Sequence, residues 1–166
     1  ACGAKLRLRS VKAGEPDRHV CDGCGRIHFL DPKLAACVIP ERDGQVLLLQ
    51  RAIEPGRGKW VMPGGFVDRG EMPADAARRE AREEVGLDVD IGELLGVFGT
   101  RGKPVIVVYL SAAIRGEAQA LDESLAVRWV DGREIPWADL AFPSTRQSLG
   151  ALAAKRGWPG PDPEEA

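Results

Sequence analysis

The segment "GGFVDRGEMPADAARREAREEVGL", Gly64 to Leu87, constrains this chain more than any other. Its second half favours helix from Pro73 to about Val85, with proline at the first turn, where its missing N–H costs nothing. On a helical wheel Glu80 and Glu84 share a face and Glu83 flanks them. Ala74, Ala77, Ala81 and Val85 form an adjoining stripe able to pack on a sheet. The residues sharing the acidic stripe, Pro73, Ala76 and Ala77, are small, so nothing bulky is expected to hide the carboxylates. A same-sign pair at this spacing costs roughly a few tenths of a kcal/mol in a plain helix. A bound divalent cation would reverse that sign. Hard oxygen donors of this kind suit Mg²⁺ or Mn²⁺, above all when substrate phosphates complete the shell. The competing reading is a solvated acidic face laced with arginine.

The whole segment separates the two readings, because it matches a long pattern. It resembles the Nudix box, G-x5-E-x7-R-E-U-x-E-E-x-G-U, where U is a bulky aliphatic. The fixed positions fall on Gly65, Glu71, Arg79, Glu80, Glu83, Glu84 and Gly86, with Ala81 and Leu87 at the U positions. A chance match has a frequency on the order of 10⁻⁸ per start point at ordinary residue usage. Ala81 is small where the family prefers bulk, which bears on packing beneath the helix and not on the chemistry. The resemblance implies a metal-dependent hydrolase of P–O–P bridges. By position, Glu80 and Glu84 would be metal ligands, Glu83 a direct or water-mediated one, and the Gly65 carbonyl a further one. Arg79 would orient the carboxylates and Glu71 would anchor the loop. Glu123, in "LDESLAVRWV", sits where several members carry the general base; the alternative is a plain loop acid.

Strand-like runs surround this helix. "KLAACVIP" and "QVLLLQRA" flank the turn "ERDG", and "DVDIGELLGVFG", "KPVIVVYLSAAI" and "LAVRWV" follow it. "PSTRQSLGALAAKRG" reads as a closing helix with Ser144 or Thr145 near its start and Gly157 at its end. Strands on both sides of a helix, with a second helix last, predict an α/β fold: an α/β/α sandwich around a mixed sheet, as in Nudix proteins.

Residues 1–33 are different in texture. "CDGCG" supplies one jaw of a zinc knuckle through Cys21 and Cys24. In ribbon-bearing Nudix relatives the other jaw reads C-x-x-C-G-x-x-L. Cys2, Gly3 and Leu6 match its second half, and its first cysteine would lie two positions before Ala1. Eighteen residues separate Cys2 from Cys21, within the expected range. The expected domains are therefore a zinc ribbon at 1–33, incomplete at its N-terminus, a Nudix domain at 34–157 and a tail at 158–166. Cys2, Cys21 and Cys24 would hold a structural Zn²⁺, with His19 or His28 able to stand in as fourth ligand. Cys37 reads as a buried apolar residue.

The resemblance extends over roughly residues 20–150 to Nudix proteins described as ADP-ribose or FAD pyrophosphatases. NADH pyrophosphatases also carry a ribbon, but their S-Q-P-W-P-F-P run has no counterpart after Leu87. Pro104, sixteen residues past the box, matches a proline associated with ADP-ribose specificity, although a first-residue proline of a strand is the ordinary explanation. Arg51, Arg57 and Lys59 are candidates for meeting substrate phosphates. Trp60, Phe66 and Phe98 could stack on a base, or simply fill the core. The substrate class implied is a nucleoside diphosphate joined to another moiety, such as ADP-ribose, FAD or an NADH-like dinucleotide, cleaved to AMP. The alternatives are a non-catalytic nucleotide sensor and an enzyme of capped RNA ends.

The net charge of −2 gives no general pull toward nucleic acid or an anionic membrane. The longest apolar run, Val105 to Ile114, is too short to span a bilayer. The start is not a signal peptide, and a CxxC pair fits metal binding in a reducing cytoplasm. A homodimer is expected by analogy with the family.

Overall fold

A computed structural model describes residues 2–161. Contacts divide the chain between Pro32 and Lys33. The first unit is a three-stranded antiparallel sheet of β1 (Leu6–Arg9), β2 (Arg18–Cys21) and β3 (Ile27–His28), in that spatial order. Among its described residues only Cys21 is buried. A segment with so little apolar interior does not hold itself by burial and needs another source of order.

The second unit opens with β4 (Leu34–Ile39), β5 (Glu41–Arg42) and β6 (Gln45–Arg51). β4 and β6 are buried on both faces, as their unbroken apolar runs require. The β5–β6 turn is Asp43-Gly44, both with positive φ (49° and 75°), the pairing that matches the twist of a tight hairpin. There follow β7 (Trp60–Val61), β8 (Gly64–Phe66), α1 (Pro73–Val85), β9 (Asp88–Phe98), β10 (Val105–Arg115) and β11 (Ser124–Asp131). A 3₁₀ turn at Trp137–Asp139 precedes α2 (Pro143–Arg156).

One sheet is mixed, ordered β8-β4-β10-β9, with β4 and β10 parallel and the other pairs antiparallel. The other is antiparallel, ordered β11-β6-β5, with β7 also on β6. Alternate residues of the central strands feed two cores. Ala36, Val38, Leu47 and Leu49 face Ala76, Ala77, Ala81 and Val85 of α1. Cys37, Ile39, Val46 and Leu48 face Leu149 and Leu152 of α2. This is the expected α/β/α layering.

α1 differs from the sequence reading in detail. Ala76, not Ala74, joins the buried stripe of α1, which rotates that stripe toward the acidic face. Ala81 is fully buried, so its small side chain lets the helix sit close on the sheet. α1 ends at Gly86, in the left-handed conformation with φ 69°. α2 agrees with the reading, with Ser144 and Thr145 in its first turn and Gly157 at its end, and its N-cap is Phe142, which makes no side-chain cap. Trp158, in the expected tail, packs on the second core, and its backbone N–H donates to Ala153 O at 2.9 Å. Residues 162–166 of that tail lie outside the described residues. Among the described residues no helix is long and apolar enough to cross a membrane.

Candidate active site

Two glycines open the path by which α1 reaches a cavity. β8 is an edge strand of the mixed sheet, and α1 packs against it. A Cβ on Gly65 would lie 2.3 Å from Glu80 Oε1, and one on Gly64 would lie 2.4 Å from Cys37 Sγ on the other face. The bare backbone therefore lets the Glu80 carboxylate and the Cys37 thiol approach from opposite sides. The Gly64 N–H donates to Glu84 Oε2 at 2.9 Å.

Arg79 organises the acids. Its Nε and Nη2 donate to the two oxygens of Glu71, each at 3.0 Å. Nη1 donates to Glu80 Oε1 at 2.8 Å and Glu83 Oε2 at 3.1 Å, and Nη2 also donates to Phe66 O at 3.1 Å. These bonds engage the whole donor fork of the guanidinium, a geometry that lysine cannot reproduce. Glu71 also accepts the Asp68 N–H at 3.0 Å, which closes the loop before α1. Its hydrogen bonds from Arg79 hold its pKa below the usual value. Arg79 itself is held still more firmly protonated by the same bond to Glu71.

The other acids lie in surroundings that oppose their charge. Burial, then the charges of Glu83 and Glu123, raise the pKa of Glu80 against the pull of Arg79. Burial pushes Glu84 up to about 8 despite the Gly64 N–H, and Glu80 and Glu123 add to the rise. Glu84 is only 8 % exposed, so the carboxylates are not all open to solvent as their small helix neighbours suggested. The rotated stripe of α1 carries Glu84 under β8. Cys37 is buried as expected, and burial together with Glu84 and Glu80 pushes its thiol up to about 12, which keeps it protonated and unreactive.

These acids line one cavity of about 560 Å³. Glu80, Glu83 and Glu84 line it together with Gly64 and Gly65. Glu123, in the left-handed conformation with φ 53°, enters from the loop before β11, where its carbonyl accepts the Ala52 N–H. Arg51 also lines the cavity; its guanidinium stacks 5.0 Å from the Phe142 ring centroid and donates to Pro55 O. Arg57 and Lys59 do not line it. Arg57 is exposed in the loop, and Lys59 is drawn to Asp139 at 3.1 Å and to Ala138 O. Pro104 stands just before β10 and stays outside, whereas Ile106 faces in. Phe66 lines the cavity; Trp60 and Phe98 pack on the second core. Sequence reasoning missed Asp122, Phe142 and Thr145, which line the cavity from segments far from the acidic helix. The run Asp122-Glu123 gave a local signal through its second member only.

In the first unit, Cys2, Cys21 and Cys24 place their sulfurs within 4.8 Å of one another, with Cys2 and Cys21 at 3.2 Å. A tetrahedral thiolate site has sulfurs about 3.8 Å apart, so the donor set fits zinc. The knuckle is tight: a Cβ on Gly23 would lie 2.8 Å from Ala4 Cβ. Backbone N–H groups of Cys24 and Gly23 and the Cys2 thiol lower Cys21 to about 7. Cys2 is pulled down by the Ala4 N–H but raised on balance by the two other thiols. His28 lines the same concavity; His19 does not.

Comparison with known proteins gives two family matches. The NUDIX domain matches residues 31–150, and the Nudix N-terminal zinc ribbon matches residues 1–29. An ADP-ribose pyrophosphatase of Methanocaldococcus jannaschii is 35 % identical over 119 residues, covering 69 % of each chain. A MutT-like protein of Streptomyces ambofaciens is 32 % identical over 101 residues, 60 % of this chain and 64 % of that one. The crystal structure of a NUDIX hydrolase from Nitrosomonas europaea superposes with a TM-score of 0.84 at 34 % identity, covering 96 % of this chain and 92 % of that one.

Proposed function

The chain belongs to the NUDIX family of hydrolases, and on that premise we propose that it cleaves the diphosphate of a nucleoside diphosphate joined to another moiety, releasing AMP. The observation that carries this reading is the convergence of Glu80, Glu83, Glu84 and Glu123 with the Gly64–Gly65 backbone on one cavity. The similarity to an ADP-ribose pyrophosphatase supports ADP-ribose as the first substrate to test.

The donors that α1 contributes to the cavity lining are the carboxylate oxygens of Glu80, Glu83 and Glu84, hard donors of the kind that suits Mg²⁺ or Mn²⁺. Glu80, Glu83 and Glu84 would hold such ions, joined by the Gly65 carbonyl. Bound there, a divalent ion supplies Lewis acidity at the phosphoryl oxygens and makes a coordinated water more acidic. Arg79 fixes the carboxylate rotamers, so the site is organised before substrate arrives. Glu123 takes the proton of the attacking water. The water oxygen bonds to one phosphorus as the bridging P–O bond breaks, giving AMP and the phosphorylated remainder. Arg51 meets the substrate's phosphate oxygens from across the cavity. In the first unit, Cys2, Cys21 and Cys24 would hold a Zn²⁺ whose role would be structural.

The test is incubation with Mg²⁺ or Mn²⁺ and a panel of ADP-ribose, FAD, NADH, dinucleoside polyphosphates and oxidised dNTPs, following AMP and phosphate. Turnover of a diphosphate-linked nucleotide to AMP is expected. Tight binding of one member with turnover of none would make the protein a sensor instead.

A further inference from the structure

The wall of the cavity next to the acids is a short apolar ledge on the mixed sheet. Phe66 on β8 is the Cα partner of Ala35 on β4, and Ala35 is the partner of Ile106 on β10. Residues directly opposite one another in adjacent strands share a face, so the three side chains stand in a row. All three line the cavity. The small Ala35 sits between two larger neighbours, across a gap of roughly 10 Å from β8 to β10. The ledge thus has a floor, Ala35, and two raised sides.

Phe66 is the unusual member. It is 52 % exposed, a large aromatic left open beside a polar site. Its backbone is fixed by the bond from Arg79 Nη2 to its carbonyl. The Lys33 ammonium stands 4.8 Å from its ring centroid. A cation over one face favours an electron-rich ring and adds positive charge beside an anionic ligand. The position also fits a nucleotide. Phe66 follows Gly65 directly in the chain, and a base is separated from its phosphates by a single ribose.

We propose that Phe66, Ala35 and Ile106 form the subsite for the nucleobase, with the base stacked against the Phe66 ring above Ala35. This rests on the reading of the carboxylate site as a diphosphate site and adds to it the part that selects a nucleoside over other diphosphates. Phosphate groups bind at the acids and Arg51; the base binds at the ledge.

The test separates base from phosphate. AMP and ribose 5-phosphate are titrated calorimetrically, with Mg²⁺, into the wild-type protein and into Phe66→Leu and Phe66→Tyr, whose folds are checked by circular dichroism. Loss of a stacking aromatic predicts AMP affinity about tenfold weaker in Phe66→Leu. Ribose 5-phosphate affinity stays the same, and Phe66→Tyr restores AMP binding. Unchanged AMP affinity in Phe66→Leu overturns the proposal. So does equal weakening of both ligands, or a wild-type protein that binds AMP no more tightly than ribose 5-phosphate. Turnover of ADP-ribose, measured separately, judges the diphosphate site whichever way the ledge is decided.

Discussion

Glu84 lies in surroundings that disfavour its own charge, and this has a measurable consequence in the metal-free protein. Its folded pKa, about 8, exceeds the ordinary 4.5. Between those values the folded state binds more protons than the unfolded one, so stability falls as pH rises through this window. Urea midpoints of metal-free protein should therefore decline across it, and Glu84→Gln should flatten the decline. Saturating Mg²⁺ should also flatten it, because the ion favours the ionised form. A midpoint that climbs through the same window would contradict the burial argument. Arg79 makes a second case at this scale. Lysine cannot supply a bidentate pair to Glu71 and bonds to Glu80 and Glu83 together. Arg79→Lys should lower kcat by about 10² while keeping the charge; near-normal kcat would show that charge alone suffices.

The element that joins chemistry to fold is β8, and its two glycines should respond differently. In Gly65→Ala the new methyl meets the end of the Glu80 side chain. That carboxylate can swing aside, so stability should change by less than about 1 kcal/mol while turnover falls sharply. In Gly64→Ala the methyl meets Cys37 Sγ, Cys37 Cα and Ala36 O within 2.6 Å, at φ 156°. Backbone cannot swing aside, and the cost should be about 3 kcal/mol. Thermal melts and assays of the two variants, side by side, check this; equal melting losses would refute it. Much of the neighbouring helix α1 was legible in the sequence. α1 was bounded by a proline tolerated at its first turn and by Gly86 in the left-handed conformation, both local signals. The burial of Glu84 was not, because a helical wheel gives angles between residues but not which of them meets the sheet. A turn of the helix that buries Ala76 in place of Ala74 was enough to cover it. Lys59 and Phe142 illustrate the same limit from loops. A salt bridge to Asp139 takes the first away from the cavity, and the start of α2 brings the second to it. The first depends on a contact 80 residues away in sequence, and the second is met by Arg51 from about ninety residues away.

At the scale of the whole molecule, two units rely on different sources of order. Residues 33 onward bury two apolar cores, and Leu149→Ala in the second should cost about 2–5 kcal/mol. The first unit buries only Cys21 among its described residues, so its order should depend on its thiolate site. A zinc-selective chelator should release the metal and raise amide exchange in residues 2–32, leaving exchange in α1 and β6 unchanged. Unaltered exchange in the first unit after zinc release would show that the strands hold without it. The family match of residues 1–29 was foreshadowed by the CxxC pair Cys21–Cys24, a spacing that ligand geometry imposes on such a knuckle, together with the resemblance of Cys2, Gly3 and Leu6 to half of the family's other jaw.

The claim on which the rest depends is that the acids of α1 carry metal-dependent cleavage of a diphosphate. It is tested by the turnover number on the best substrate as a function of free Mg²⁺, for the wild-type protein and for Glu84→Gln. No turnover without metal, saturable activation with it, and a folded variant slower by about 10³ at saturation are expected. Full activity in the presence of excess EDTA, or an unimpaired Glu84→Gln, would contradict the account.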